Sequence, residues 1–190
     1  MYVDRLIFPI HTLGPGDRVA LWVMGCPHKC IGCANPELWE IDESKSISVQ
    51  NLRRAIESMA TNNKVHGITI TGGEPMAQAD GLNDLLLAMK LPNDFDILVF
   101  TGYTMDELVG FQNKKVNSLL NKIDVLIDGR YLEEKNNGSP LKGSDNQVIH
   151  YLNGAVREKY EKYLLKGRQV QNVFYENALM SVGIHDRGRR

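Results

Sequence analysis

The stretch GITITGGEP, residues 67–75, indicates which kind of fold this chain adopts. Its first half is short and rich in β-branched residues, as in a buried strand, and its two glycines mark a turn. The proline then occupies the first turn of a helix, where its missing N–H would have no intrahelical partner anyway. A strand that passes directly into a helix is half of a β-α-β unit, so this stretch predicts a parallel sheet.

The same alternation continues on both sides of this stretch. We expect strands at residues 18–24, 67–71, 96–100, 124–127 and 147–152, with two final strands at 171–175 and 178–182. Apolar residues at helical spacing predict helices at residues 48–61, 75–90, 105–122 (interrupted near Gly110) and 155–165. Turn residues predict a loop at residues 136–146.

Right-handed crossovers between such strands produce a curved α/β domain. A complete barrel of eight βα units typically needs about 250 residues, and this chain has 190. The predicted fold class is therefore α/β, an incomplete TIM-like βα barrel of parallel strands with one open side. We expect a single domain over residues 1–190, with a core at about 14–152 and a C-terminal extension at 153–190.

Composition and charge limit the possible partners. Hydrophobic residues make up 43% of the chain, charged residues 24%, and the formal net charge is -1. This balance provides no global field that would attract nucleic acid or an anionic membrane. No apolar run approaches the roughly 18–20 residues of a membrane helix, and the N-terminal segment does not resemble a signal peptide. We therefore expect no nucleic-acid or membrane partner and a cytoplasmic location.

All three cysteines lie in GCPHKCIGC, residues 25–33, directly after the predicted strand at 18–24. Cys26, Cys30 and Cys33 have the spacing C-x3-C-x2-C. An odd and clustered set cannot form a disulfide framework, and cysteine thiolates are the usual ligands of iron–sulfur clusters. A saturated 4Fe-4S cluster takes four thiolates, so three predict a cluster with one iron open to another ligand.

Two simpler interpretations of these residues stay open. His28 with the three cysteines would make a Cys3His zinc site, although only one residue separates His28 from Cys26, which crowds a tetrahedral chelate. Buried cysteines without any ligand also occur. His28 by itself is more simply a loop contact or part of a pocket wall.

Three predicted strand ends carry further candidate binding residues. In TGGEP, residues 71–75, the glycines allow close approach to a ligand, and a carboxylate beside exposed carbonyls suits an ammonium group. FTGYT at 100–104 and IDGR at 127–130 belong to the same edge, where α/β domains place their sites. Asp128 is alternatively the cap of a turn, and Arg130 is by default a surface arginine.

The order of these motifs resembles the radical S-adenosylmethionine (SAM) superfamily and, within it, the anaerobic ribonucleoside-triphosphate reductase activating proteins. The resemblance covers about residues 14–147 and rests on GCPHKCIGCANPELW (25–39), TGGEP, FTGYT, VLIDGRY (125–131) and KGSDNQ (142–147). It implies that SAM binds the open iron and is reductively cleaved to a 5′-deoxyadenosyl radical. This radical removes a hydrogen atom from a glycine of a large glycyl-radical enzyme, and a flavodoxin-like protein is the expected electron donor.

The resemblance also implies a role for each candidate residue, with no catalytic residue beyond the cluster and SAM. The cluster ligands are Cys26, Cys30 and Cys33. The GGE motif, Gly72, Gly73 and Glu74, binds the amino group of SAM. The remaining contacts with SAM are expected from Gly32, Cys33 and Ala34 for the adenine, and from Thr101 and Asp128 for the carboxylate or ribose.

Two other functions remain compatible with the same motifs. One is a radical SAM enzyme acting on a small molecule or a peptide, and the other is a non-enzymatic iron–sulfur or zinc module. The short chain favours the activating protein, because little sequence is left for a separate substrate domain. The basic C-terminal part is either a solvated surface or a docking site for an acidic partner, through Lys159, Lys162, Lys166, Arg168, Arg187, Arg189 and Arg190.

Overall fold

The computed structural model describes residues 1–90, 92 and 94–185. Its centre is a six-stranded sheet whose strands follow one another in sequence order: β1 (Val3–Ile10), β2 (Arg18–Val23), β3 (Gly67–Gly72), β4 (Asp96–Phe100), β5 (Val125–Asp128) and β6 (Val148–Tyr151). The four middle strands are parallel, whereas β1 and β6 run antiparallel to their neighbours. The fold is thus α/β with a mostly parallel sheet.

Helices connect the parallel strands and cover one face of the sheet. They are α1 (Val49–Asn62), α2 (Ala79–Ala88), α3 (Met105–Gly110) and α4 (Lys114–Leu120). A fifth helix, α5 (Arg157–Leu164), follows β6 and lies on the opposite face, where Tyr160 and Tyr163 pack with residues of β4 and β5. Apolar residues of α1, α2 and α4 pack with alternate residues of β2, such as Val19 and Leu21, in the main core. The other alternate residues of β2, Ala20 and Trp22, belong to a second core on the opposite face. Strand β2 is therefore buried on both faces, which explains its continuous apolar sequence.

The predicted elements are found, but the prediction of parallel strands is wrong for β6, and the sheet has a further antiparallel strand, β1, at its other edge. Strand β1 was not predicted, because its charged residues and Pro9 interrupt the apolar pattern expected of a strand. Proline within a sheet is confined mainly to edge strands, and β1 is one. Strand β6 is antiparallel because no long crossover helix separates it from β5. The helix expected at 105–122 is divided into α3 and α4, and Asn113 caps the second of them.

A second, two-stranded antiparallel sheet follows α5. It is a hairpin of β7 (Val170–Tyr175) and β8 (Ala178–Gly183). Val182 of this hairpin is buried in the second core, together with residues of β1 and β2. The hairpin therefore covers part of the sheet face that lies opposite helices α1 to α4, the face on which α5 also packs. Within the described residues, no helix combines the length and apolar character needed to cross a membrane.

A buried ion pair joins the amino ends of the parallel strands. The Arg18 Nη2 atom lies 2.8 Å from Asp96 Oδ1, and both side chains are almost completely buried. Arg18 also donates to Thr69 Oγ1 at 2.7 Å, while the hydroxyl of Tyr160 on α5 donates to Asp96 at 2.6 Å. Lys159 of α5 pairs with the same carboxylate. This cluster fixes β2, β3, β4 and α5 together at the end of the sheet opposite the cysteines.

Candidate metal centre

The three cysteines lie on the loop after β2, at the carboxyl ends of the parallel strands. The backbone N–H of Cys26 donates to the carbonyl of Trp39 at 2.9 Å, which closes the loop on itself. All three thiols are partly buried, and they line one cavity of about 600 Å³. The cysteine spacing therefore brings three sulfur atoms to the wall of a single space.

Backbone N–H groups surround the sulfur atoms. The N–H of Asn35 donates to Cys33 Sγ at 3.4 Å. Burial raises the pKa of the Cys26 thiol, and backbone hydrogen bonds from His28 and Lys29 act to lower it. Burial likewise raises the pKa of Cys30, against a backbone hydrogen bond from Tyr131. Such donors stabilise thiolate ligands, and hydrogen bonds to sulfur are part of how proteins adjust iron–sulfur clusters.

The arrangement of the donors distinguishes a cluster from a single metal ion. Among the described residues, no group of three or more His, Cys, Asp or Glu side chains could hold a metal ion. Three cysteine thiolates without a fourth protein ligand are the donor set expected for a 4Fe-4S cluster with one open iron. His28 is directed elsewhere, since its Nε2 atom lies 3.1 Å from Glu74 Oε2. The residues present therefore fit a cluster and disfavour the Cys3His zinc site.

The Glu74 carboxylate joins three of the motifs. Its side chain is only 1% exposed. Oε1 accepts hydrogen bonds from the Thr101 hydroxyl at 2.7 Å and from the Met76 N–H at 2.9 Å. Oε2 accepts from the Gly102 N–H at 2.7 Å and contacts His28. One buried carboxylate thus connects the cysteine loop, the TGGEP turn and the FTGYT loop.

The two glycines of TGGEP are required by close packing against the cysteine loop. The N–H of Gly73 donates to the carbonyl of Val23 at 2.7 Å. A Cβ atom on Gly72 would lie 2.4 Å from that carbonyl oxygen, and one on Gly73 would lie 2.5 Å from the carbonyl oxygen of Gly25. Any side chain here would push β3 away from the loop that carries the thiols.

All but one of the predicted site residues line the cavity: Cys26, Cys30, Cys33, Gly32, Ala34, Gly72, Gly73, Glu74 and Thr101. The exception is Asp128, whose carboxylate accepts from the N–H of Met105 at 2.7 Å and of Val148 at 3.2 Å. It also lies 2.9 Å from His150 Nε2. Asp128 thus connects α3 and β6. Arg130 is half exposed and lies 3.6 Å from Glu107.

Sequence reasoning missed two other parts of the wall. The loop before β6 contributes Tyr131, Asn136, Gly143 and Gln147, and the C-terminal segment contributes Ser181, Gly183, Ile184 and His185. The Gln147 side chain holds the loop in shape by accepting from the Gly143 N–H and donating to the Gly129 carbonyl, both at 2.7 Å. The KGSDNQ motif was a signal for this loop. The C-terminal segment carries no motif, and only tertiary structure reveals it.

Two cavity residues have polar atoms that are free to meet a ligand. Trp39 and Asn136 both line the cavity. The Trp39 Nε1 donor and the Asn136 Oδ1 acceptor are buried and have no hydrogen-bond partner within the part of the chain that the structure describes. Buried polar groups are normally satisfied, so these two atoms point to a polar ligand.

Comparison with known proteins points to one family of iron–sulfur proteins. Residues 12–150 match the family model of a 4Fe-4S single cluster domain. An anaerobic ribonucleoside-triphosphate reductase-activating protein of Vibrio cholerae is 36% identical over 149 residues, which are 75% of this chain and 94% of the relative. Proteins of the same name match from Escherichia coli K12 (34% identical, 76% of this chain, 96% of the relative) and phage T4 (31%, 78% and 93%).

Proposed function

Because this chain belongs to the family of anaerobic ribonucleoside-triphosphate reductase-activating proteins, we propose that it activates such a reductase by forming a glycyl radical on it. The observation that carries this proposal is the meeting of the three thiols, the paired glycines and Glu74 on one cavity. A nucleotide-sized ligand fits a cavity of about 600 Å³, which lies within the usual range for small-molecule sites.

The cofactors of the proposed reaction are a 4Fe-4S cluster and SAM. When bound, they supply the one-electron cleavage that forms a hydrogen-abstracting deoxyadenosyl radical. The chain's own contribution is to bind and orient them. Cys26, Cys30 and Cys33 hold three irons of the cluster, and the backbone N–H groups around the sulfurs stabilise the thiolates.

The TGGEP turn is the proposed site for the amino group of SAM. Since the Glu74 carboxylate already accepts from three protein donors and contacts His28, we assign the direct contacts mainly to the backbone carbonyls of Gly72 and Gly73. Glu74 then supplies negative charge and fixes the surrounding loops. Trp39 Nε1 and Asn136 Oδ1 offer one donor and one acceptor for the polar groups of the nucleoside.

The proposed function also implies a fold type, a domain organisation and an electron donor. We propose that the sheet is an open, partial βα barrel of the radical SAM type, supported by four parallel strands with crossover helices. Residues 14–152 form its core within one domain. A flavodoxin-like protein in the cytoplasm is the proposed electron donor.

The test is an anaerobic reconstitution with iron and sulfide, followed by dithionite reduction. Electron paramagnetic resonance is recorded with and without SAM, and 5′-deoxyadenosine is assayed in the same samples. We expect a reduced-cluster signal that changes when SAM is added, deoxyadenosine formation, and a glycyl-radical signal once the purified reductase is present. Cys30→Ala should abolish all three.

Two results would contradict the proposal in different ways. A cluster that is indifferent to SAM would leave a non-enzymatic iron–sulfur module. Cleavage of SAM without any radical on the reductase would instead favour a small-molecule or peptide substrate.

A further inference from the structure

The β7–β8 hairpin lies outside the family domain, which ends at residue 150. The V. cholerae and E. coli relatives are matched over 94% and 96% of their own lengths but over only 75% and 76% of this chain. The hairpin is therefore not part of the domain that this chain shares with its family, and its function has to be read from its own contacts.

The hairpin is held firmly in place. The Gln171 side chain donates to the Pro9 carbonyl at 2.9 Å and accepts from the His11 N–H at 3.2 Å. The Thr12 hydroxyl donates to the carbonyl of Val182 at 3.0 Å. Arg168, which precedes β7, donates to the carbonyl of His185, just beyond β8, at 2.8 Å. These contacts make the hairpin a fixed wall.

This wall belongs to the cavity that contains the thiols. Ser181 and Gly183 of β8 line the cavity. Residues two apart on a strand face the same side, so Leu179 lies on the same face as Ser181. Leu179 pairs with Phe174 on β7. One continuous face therefore runs from the cavity wall to the Phe174–Leu179 pair.

The outer end of this face is apolar and exposed. The Phe174 residue is 84% exposed and Leu179 is 62% exposed. Neither strand contains a charged residue. Charged side chains are a common protection of exposed strands against pairing with another chain, and β7 and β8 lack that protection. An exposed apolar face without charge marks a contact surface for another protein, and an uncharged segment suits it best.

We infer that the hairpin is the docking surface for the glycine-bearing segment of the partner reductase. The inference rests on the proposed function, which requires that glycine to reach the cavity. A segment that enters past Ser181 and Gly183 crosses the outer face of the hairpin, and its apolar side chains pack on Phe174 and Leu179.

The test is the double variant Phe174→Ser/Leu179→Ser in the full-length, cluster-loaded protein. Binding of the purified reductase is measured anaerobically by biolayer interferometry, and the glycyl radical is quantified by electron paramagnetic resonance. We expect the dissociation constant to rise roughly tenfold to a hundredfold, the effect of losing one or two buried apolar contacts. Cleavage of SAM in the absence of the reductase should keep the wild-type rate.

The matched control is Leu87→Ser/Leu165→Ser. These leucines are 65% and 87% exposed and lie on other elements, so the control removes the same kind of surface. It should bind the reductase like the wild-type protein. A thermal melt of each variant shows whether the fold is retained.

Three outcomes would overturn the inference. The first is a hairpin variant that binds and activates the reductase as the wild type does. The second is a wild-type dimer that the hairpin variant turns into a monomer without loss of activation, since the face would then join two copies of this chain. The third is a wild-type protein that fails to cleave SAM or to activate the reductase. This result would refute the proposed function itself, and it would be seen in the wild-type measurement before any variant is compared.

Discussion

Among single residues, Gly102 is notable because the cysteine loop rests directly on it. A Cβ atom at this position would lie 2.4 Å from His28 Cδ2. His28 in turn contacts Glu74 and stacks edge-on against Tyr103, with ring centroids 4.4 Å apart. The absence of a side chain at Gly102 thus determines where His28 lies, although His28 and Gly102 are far apart in the sequence.

The first prediction concerns this contact. Gly102→Ala should destabilise the protein by about 1–3 kcal/mol, the usual effect of overpacking a filled site. It should also weaken SAM binding, because a displaced His28 disturbs the loop that carries the thiols. Urea unfolding and isothermal titration with SAM measure the two effects.

A double variant separates contact from backbone strain. His28→Ala removes the imidazole ring and with it the clash. On the His28→Ala background, Gly102→Ala should therefore cause little further loss of stability or of SAM binding. Equal losses on both backgrounds would contradict the packing explanation.

At the scale of elements, the sequence predicted the strands and helices whose pattern is local. From Val19 to Val23, β2 is an unbroken apolar run, and the helix predicted at residues 48–61 is found as α1, with the Ser48 hydroxyl accepting from the Asn51 N–H. The orientation of β6 had a local signal that was overlooked, namely the loop without a helix at residues 136–146. The existence of β1 was not predictable from a local pattern, because its pairing with β2 depends on distant residues. The same applies to the hairpin: its two strands were predicted, but their position at the cavity was not.

Three of the basic residues of the C-terminal part contact other residues of the chain. Arg168 donates to the carbonyls of Ser139, Lys142, Gly143 and His185. Lys159 pairs with Asp96, and Lys162 pairs with Glu158 on the same helix. These side chains are engaged within the chain. Arg187, Arg189 and Arg190 lie outside the described residues.

Arg168 provides the second prediction, since it joins the hairpin to the loop before β6. Arg168→Gln should lower the free energy of unfolding by about 1–3 kcal/mol, because several carbonyls lose a charged donor. Amide hydrogen exchange at residues 181–185 should become faster than in the rest of the sheet.

The control for this variant is Lys162→Gln, which removes only an exposed pair with Glu158. Such a pair contributes roughly 0–1 kcal/mol, so exchange in the hairpin should not change. Unchanged exchange in Arg168→Gln as well would show that other contacts fix the hairpin.

For the whole molecule, the two ends of the sheet differ in function: one forms the cavity and the other contains a buried ion pair. The carboxyl ends carry the cavity, and the amino ends are joined by the Arg18–Asp96 pair. Burial acts to raise the pKa of Asp96, but the charge and hydrogen bond of Arg18, with Lys159 and Tyr160, outweigh it and the pKa is lowered. The end without the cavity thus supplies stability that does not depend on any cofactor.

The third prediction tests this division. Asp96→Asn should destabilise the protein by about 3–5 kcal/mol at pH 7, because Arg18 is left buried without its counter-ion. Replacing both partners in Arg18→Met/Asp96→Leu should recover much of the loss. Chemical unfolding measures both variants, and a double variant as unstable as Asp96→Asn would contradict the argument.

The Asp96 carboxylate also makes the stability of the protein depend on pH, in a direction that its pKa determines. Since the pKa of Asp96 is lower in the folded protein, its stabilisation is present above the unfolded value of about 3.9 and is lost as the pH falls below it. Unfolding of the wild type between pH 6 and pH 3 should show this loss, and Asp96→Asn should lack that component.

The cavity wall combines segments from distant parts of the chain, from Cys26 to His185, and this has a consequence during protein synthesis. Ribosomes add about 5–20 residues per second, so the thiols emerge on the order of ten seconds before the segment that completes the wall. During that interval the three cysteines of the nascent chain are exposed, because the C-terminal part of the cavity wall has not yet been made. Cluster insertion is therefore expected only after the segment around residues 181–185 has emerged and packed onto the sheet, and the nascent thiols are open to oxidation until then.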